Sequence, residues 1–359
     1  MRTLVSAFAM LGICLCASIG AKKAEAEENW NMTASWGGGT YLEDAKQFAK
    51  LVKQLTDGRV NISVFPAGTL GSPLKVTETV RSNVAQAGHT YMSYDYGLNK
   101  AVVLFAGYPG GPTEEEQFIW LYKAGGLEAW REFRDRNFGV VSMPCGTFPT
   151  EFFLHSSKKV QSLEDFKGLK LRTSGAWAEI ATRLGASTVL LPGGEVYSAL
   201  ERGVIDAAEW ASASVNERSG LHKAVKYIIL PGIHQPSGAV ECQFNKEAWA
   251  RISERDQQMI ELAGKIQTFN TWATLVYDDL PAFRRLQEGE NEFVQLDEEF
   301  LDAVKSETIK WADEVAVENE EFRKYLNLQR QFLKDISAYP LMRFAPGART
   351  AESIGSISE

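Results

Sequence analysis

The chain has 359 residues, more than one hydrophobic core usually serves, which predicts two lobes of about 150 residues each. Its composition, 45% apolar and 23% charged, excludes a disordered or fibrous chain. The net charge of -8 sets a field that disfavours nucleic acid and anionic lipid, so an anionic ligand would need its own local cation.

Met1-Arg2 gives a positive start, Leu4 to Ile19 is an apolar run, and Ala24-Glu25-Ala26 is a small-residue cleavage pattern. Residues 1–26 are therefore expected to be a signal peptide cleaved after Ala26, leaving an exported, periplasmic protein. The run is short for a membrane span, and no later window holds ~18 uninterrupted apolar residues. Cys14 and Cys16 fall in this leader. Cys145 and Cys242 remain, and in an oxidising compartment they form one disulfide or stay as two buried thiols; the sequence leaves both open.

Asn29 to Ser35 reads as a first strand. Tyr41 to Leu55 reads as a helix with Ala45, Phe48, Val52 and Leu55 on one face, stopped by Gly58. Val60 to Phe65 alternates like a strand, and Ser72-Pro73 opens a helix striped by Val76, Val80 and Val84. This is the α/β rhythm of a mainly parallel sheet. Thr113 and Glu116 form a capping box for a helix from about Glu114. Phe138 to Met143 is strand-like. Leu169 to Arg172 is a strand stopping at Ser174, followed by a helix to Leu184 that Gly185 closes. Thr188 to Leu191 is a strand, Glu195 to Arg202 a helix ended by Gly203, and Val204 to Trp210 a further strand. From Ser253 to Glu288 the pattern is a long helix, with a kink expected at Pro281. Phe293 to Leu296 is a short strand, and Asp297 caps a second long helix to about Ile336. The tail beyond Pro346, rich in Gly, Ser, Ala and Glu, is expected to be disordered. No internal repeat or heptad run stands out.

Phosphate loops, a GxSxG elbow, HExxH and paired CxxC motifs are all absent. His89, His155, His222 and His234 are widely spaced and read as surface or capping side chains rather than a metal set. What remains is charge at strand ends. Arg172 ends a strand, and ligands in open α/β sheets sit beyond such ends. A guanidinium there can grip a carboxylate through two parallel hydrogen bonds. Glu209 closes an apolar run, Glu241 lies inside the apolar Gly238 to Phe244 segment, and Glu151 precedes Phe152-Phe153-Leu154. Each alone reads more simply as a rim residue paired to a neighbouring base. Together with Arg172 they permit a pocket for one small anion and a cation.

The string "LRTSGAWAEIATRLGASTVLLPGGEVYSALERGVIDAAEW" resembles the core segment of TRAP-transporter solute receptors. "SLEDFKGLKLR", "FPAGTLGSPLKVTETV" and "YIILPGIHQPSGAVECQFNKEAW" agree, so the resemblance runs from roughly Trp30 to Phe344. It implies an α/β periplasmic binding protein fold of two lobes, with hinge strands and long C-terminal helices. Lobe 1 would be 27–149 with a returning segment at about 239–275. Lobe 2 would be 150–238 with about 276–345. The implied function is a receptor, not an enzyme, that binds a small organic acid anion and hands it to TRAP membrane permease subunits. No nucleic acid is involved. A second copy is a further implied partner, since some relatives dimerise through a C-terminal helix.

The details resemble the branch that binds 2-oxo monocarboxylates and lactate with a metal ion. There an arginine at the position of Arg172 pairs with the substrate carboxylate. A glutamate followed by tryptophan, here Glu209 and Trp210, gives the cation a side-chain and a backbone-carbonyl ligand. A glutamine normally stands 21 residues before the arginine; this chain has Glu151 there. Two carboxylates plus a ligand carboxylate favour a divalent ion, Ca²⁺ over Na⁺, or else Glu151 changes the ligand and no metal binds. Glu241 is a further candidate metal ligand, Tyr94 or Tyr96 a hydroxyl donor to the substrate, and Trp177 a lid over it. Two other readings remain: an exported enzyme with Glu151 or Glu209 as general base, or a sensor subunit with the same pocket.

Overall fold

The computed structural model describes residues 27–339; the expected leader, its cleavage site and the tail beyond Pro346 lie outside the described residues. The strands are β1 (Glu28–Ala34), β2 (Val60–Phe65), β3 (Ala87–Tyr91), β4 (Val140–Phe148), β5 (Leu154–Ser156), β6 (Lys170–Arg172), β7 (Ser187–Val189), β8 (Ala207–Ala208), β9 (Tyr227–Leu230), β10 (Gly238–Asn245) and β11 (Glu292–Gln295). They form two sheets, one ordered β2-β1-β3-β10-β4 and the other β11-β9-β5-β8-β6-β7. The mixed α/β class follows the sequence rhythm, and β1 is parallel to both β2 and β3. Strand β10 returns from far along the chain and inserts antiparallel between β3 and β4. All of its residues are buried, and the polar members of its Val240–Asn245 alternation, Glu241, Gln243 and Asn245, find hydrogen-bond partners inside the protein.

The Gly39–Leu55 helix buries Tyr41, Leu42, Ala45, Phe48, Ala49 and Val52. The Glu254–Gln287 helix, capped by Ser253, packs on β4, on the Gly39–Leu55 helix and on the Ala213–Ser219 helix. It therefore ties elements that feed both sheets. Pro281 lies inside this helix without ending it. Its ring is exposed, where water can serve the carbonyl it leaves unpaired. The second long helix divides into Glu298–Glu318 and Glu320–Ile336. Asn319 adopts extended backbone between them, and its side chain accepts from the Phe322 N–H. The capping box at Thr113 forms. The helix expected from Ser72-Pro73 starts only at Val76, and Val84 lies beyond its end and is exposed. The strand expected over Val204 to Trp210 shortens to Ala207–Ala208.

Cys145 on β4 and Cys242 on β10 form a disulfide. The antiparallel pairing of the two strands brings them together, and both are fully buried. The core is strongly aromatic. Phe105 stacks on Trp120 and on Phe133 at 5.6 and 5.3 Å, and Trp311, Phe322 and Tyr325 of the last two helices close over the same cluster.

Glu241 belongs to this core and not to a ligand site, which corrects its assignment as a metal ligand. Successive side chains of a strand point to opposite faces; Val240 faces the cleft between the sheets while Glu241 meets Arg134. The Arg134 Nε donates to Glu241 at 2.7 Å, Nη2 to Glu241 and Thr77 at 3.0 and 2.9 Å, and Nη1 to Asp95 at 2.8 Å. The Ser142 hydroxyl adds a further bond to Glu241. Removing one partner of such a pair strands the other charge in the interior. Glu241→Ala should therefore lower the free energy of unfolding by about 3–5 kcal/mol in urea titrations. A loss under 1 kcal/mol would mean that the Arg134 charge is answered in another way.

Candidate functional site

Between the two sheets lies a cavity of about 30 Å³, room for a few atoms beyond a single water. Trp36, Tyr41, Tyr91, Tyr94, Phe148 and Val240 approach it from the first sheet; Glu151, Arg172, Trp177, Glu209, Trp210, His234 and Gln235 approach from the second. It lies beyond the carboxyl ends of β6 and β8, where parallel strands leave their amides and side chains open to a ligand.

Strand register assembles the charged part. β6 pairs parallel with β8, Arg172 opposite Ala208, so Glu209 emerges one residue beyond the arginine. Arg172 is only 2% exposed. Its Nη1 donates to the Glu209 carbonyl at 3.2 Å and to Glu209 Oε1 at 3.1 Å. Nε and Nη2 both donate to the Leu191 carbonyl at 3.2 Å. The guanidinium carbon is 5.1 Å from the centre of the Trp210 ring, a cation–π distance. Gly193 makes room for that indole: a Cβ there would meet the Trp210 ring at 2.1 Å.

Glu151 sits in the link between β4 and β5, its Oε2 3.1 Å from His234 Nε2. Donor atoms of Glu151, Glu209 and His234 all lie within 4.8 Å of one another. Burial, reinforced by the charge of Glu209, pushes the Glu151 carboxyl well above its usual range, and Arg172 offsets only part of this. Burial also raises Glu209, against the pull of Arg172. Burial lowers His234 to about 3, so its ring is neutral at physiological pH. The neutral imidazole and the Glu151 carboxyl share one hydrogen bond, which orients that acid beside Glu209. Two desolvated acids facing one guanidinium already engaged elsewhere fit a hard cation bound through oxygens. Glu151 and Glu209, with His234 beside them, bring their donor atoms close enough together for one ion to meet them. Two further buried polar atoms, the Trp177 Nε1 and the His234 Nδ1, have no hydrogen-bond partner.

Of the residues singled out from sequence, Arg172, Glu151, Glu209, Trp210, Trp177 and Tyr94 line this one cavity. Burial raises the Tyr94 hydroxyl, while the Arg172 guanidinium acts the other way. Tyr96 does not join them. The turn at Met92–Asp95 sends its ring away from the cavity, and its hydroxyl donates to Glu179, which also takes the Lys100 ammonium at 2.7 Å. The reading of the histidines as surface groups is also corrected: His89, His155 and His234 are buried. His234 was missed as a site residue. Its signal was Gly232, two positions earlier, where a Cβ would lie 1.8 Å from the Glu151 carbonyl. Only glycine lets the His234 loop come that close to Glu151.

Residues 36–319 match the family model for bacterial extracellular solute-binding proteins, family 7. The chain belongs to this family. It is similar to a monocarboxylate 2-oxoacid-binding periplasmic protein of Nostoc sp., 33% identical over 316 residues, 86% of this chain and 85% of the relative. A TRAP transporter solute-binding protein of Bordetella bronchiseptica, with copurified calcium and picolinate, superposes with a TM-score of 0.86 at 26% identity, covering 90% of this chain and 96% of that one. A TRAP periplasmic solute-binding protein of Pseudoalteromonas atlantica, with sodium and pyruvate, gives 0.84 at 28% identity, over 90% and 98%. The family consists of solute receptors, and these neighbours confirm the two-lobed α/β architecture. Among the described residues of this solute-binding protein, no helix is long and apolar enough to cross a membrane.

The raised carboxyl of Glu151 has a consequence for stability. A carboxyl whose folded pKa exceeds the unfolded value binds a proton on folding, so stability falls as pH climbs from about 4.5 through the raised value. In protein stripped of ligand and cation, Glu151→Gln should melt higher than the parent at pH 7.5 and show a shallower fall in melting temperature between pH 5 and 7.5. Equal slopes would mean that Glu151 ionises freely.

Proposed function

We propose that this chain is the extracytoplasmic receptor of a TRAP transporter, working in the periplasm. In this reading it binds a 2-oxo or 2-hydroxy monocarboxylate of pyruvate or lactate size together with a cation. The observation that carries the reading is one guanidinium and two desolvated acids around a cavity of about 30 Å³. That volume excludes a bulky solute, and that charge set selects a small anion accompanied by a cation. The 2-oxoacid-binding relative from Nostoc and the pyruvate-bound neighbour support the same class of ligand.

Arg172 anchors the acid. A guanidinium has five N–H groups, and four bonds already tie this one to Leu191 and Glu209. A ligand carboxylate gains two parallel bonds when Arg172 releases Glu209 Oε1, and Glu209 is then free to serve the cation. One site-filling event thus serves both: the cation neutralises Glu151 and Glu209, while Arg172 neutralises the substrate. Ca²⁺, tolerant of irregular oxygen geometry, balances three carboxylates better than Na⁺. Trp177 Nε1 and the Tyr94 hydroxyl are the neutral donors for the remaining substrate oxygens. The two sheets serve as the cores of two lobes, 27–149 with 239–275 and 150–238 with the segment from 276. Residues of both line the cavity, so an opening motion between them admits the ligand and closure retains it. Retention and release to the permease need no covalent step.

Two measurements test this. After denaturation and refolding to strip bound ligand, calorimetric titration with pyruvate or lactate should show Arg172→Ala weakened by about 2–5 kcal/mol, chiefly because the ligand charge is left unpaired. Unchanged affinity would refute the anchor. Glu209→Ala should lose the difference between titrations run with added Ca²⁺ and with chelator. A difference that persists at full size would move the cation to other residues.

A further inference from the structure

Two segments that wall the acid cavity from opposite sides also meet behind it. After β3, Tyr91 and Tyr94 line the cavity, and Tyr96 and Lys100 follow, turned away from it towards Glu179. After β6, Arg172 and Trp177 line the cavity. Glu179 stands two residues beyond Trp177 in the Gly175–Arg183 helix, so it projects from a different side of that helix. The Tyr96 hydroxyl donates to Glu179 Oε2 at 2.5 Å, and the Lys100 ammonium donates to the same oxygen at 2.7 Å. The backbones are close as well. Gly175 has a φ of 63°, and a Cβ there would come within 3.1 Å of Ser93, so glycine lets the helix start directly against the Met92–Asp95 turn. Burial alone would raise the Glu179 carboxyl, but the bonds from Lys100, Tyr96 and Arg183 outweigh it and hold it at about 2. The carboxylate is therefore charged throughout the physiological range.

We propose that Glu179 is a positioning residue for binding: its contact with Tyr96 and Lys100 latches the two walls of the cavity at their closed spacing, breaks when the lobes part, and so sets how long the acid is retained. This rests on the two-lobe receptor reading, in which Tyr96 and Lys100 belong to lobe 1 and Glu179 to lobe 2. The chemistry suits a contact that is made and broken repeatedly. The Lys100 and Glu179 side chains are 39% and 27% exposed, so water reaches both as they separate and the ion pair alone is weak. The Tyr96 hydroxyl adds a second bond to the same charged oxygen. Glu179 also accepts from Arg183 Nη2, on its own helix, at 3.0 Å, and Arg183 is held in turn by Glu307 and Glu314. The carboxylate therefore keeps a cation when Lys100 leaves, and no charge is stranded. The Arg134–Glu241 pair, with no exposure on either side, could not open on such terms. Because the latch joins the walls and not the acid, it slows escape without adding a contact to the ligand.

The test uses residues 27–359, stripped by denaturation and refolding, with pyruvate and Ca²⁺ as the probe. Stopped-flow tryptophan fluorescence reads association and release separately, since Trp36, Trp177 and Trp210 line the cavity. Glu179→Gln should release pyruvate roughly tenfold faster than the parent, the size of one hydrogen bond to a charged group. Association should change by less than about twofold, and the melting temperature of the stripped protein should not move. Lys100→Met should reproduce part of the faster release in the parent and add nothing in the Glu179→Gln background, as expected of two residues acting through one contact. An unchanged release rate in Glu179→Gln would overturn the latch. So would a stripped variant that melts lower in step with its faster release, because the contact would then be present in the open state too. A parent that binds neither pyruvate nor lactate would sink the receptor reading and the latch together, whereas a parent that binds while the variants release at its rate sinks the latch alone.

Discussion

Taking a guanidinium out of water is expensive unless its N–H groups find acceptors, and the placement of Arg172 is organised around meeting that demand. The parallel pairing of β6 with β8 delivers the Glu209 carbonyl and carboxylate. The Thr188 to Leu191 segment beside β6 delivers the Leu191 carbonyl. Those acceptors hold the guanidinium over the Trp210 ring and at the wall of the cavity. Because the arginine and its acceptors come from three separate chain segments, the site exists only in the folded sheet. Gly193, which makes room for the indole, is as much a part of the anchor as the arginine.

A second buried arginine in the same molecule shows what distinguishes a binding site from a structural ion cluster. Arg134 also faces acids, Glu241 and Asp95, but hydroxyls of Thr77 and Ser142 and the amide of Gln243 complete that cluster. The Arg172 cluster differs in being incomplete. Burial raises its two acids, as it raises Glu241, but here a tryptophan N–H and an imidazole nitrogen beside the acids have no partner. Buried polar groups left in that state cost free energy, and a ligand bringing both a negative and a positive charge removes the cost. Selectivity for such a pair follows from what the protein leaves undone.

The sequence made the local elements legible where one face was polar. The Thr113 capping box, the alternating Val60–Phe65 strand and the Gly39–Leu55 helix all stood out for that reason. It was least informative where both faces are buried or both are apolar. Strand β10 alternates apolar and polar over Val240–Asn245, a pattern that suggests one open face, yet both its faces are buried, and whether Glu241 pointed to the cleft or to Arg134 depended on a bulge between Val240 and Glu241 that no local pattern announces. Arg172 and Glu209 stood out as charges at strand ends, but their expected roles, and Trp210 altogether, came from family resemblance. His234 escaped because its partner Glu151 lies 83 residues away, and no spacing rule links two loops on different strands. The disulfide was undecidable for the same reason, since 97 residues separate its halves.

The Glu254–Gln287 helix shows how one element can carry two apolar stripes, one buried and one exposed. A helix apolar on one stripe reads clearly, because the polar remainder sets the period. Here the buried stripe and the exposed stripe lie on opposite sides, so their periodic signals largely cancel and no heptad stands out. Only burial separates the two sets. The same helix packs on elements that feed both sheets, so it is a member common to both lobes.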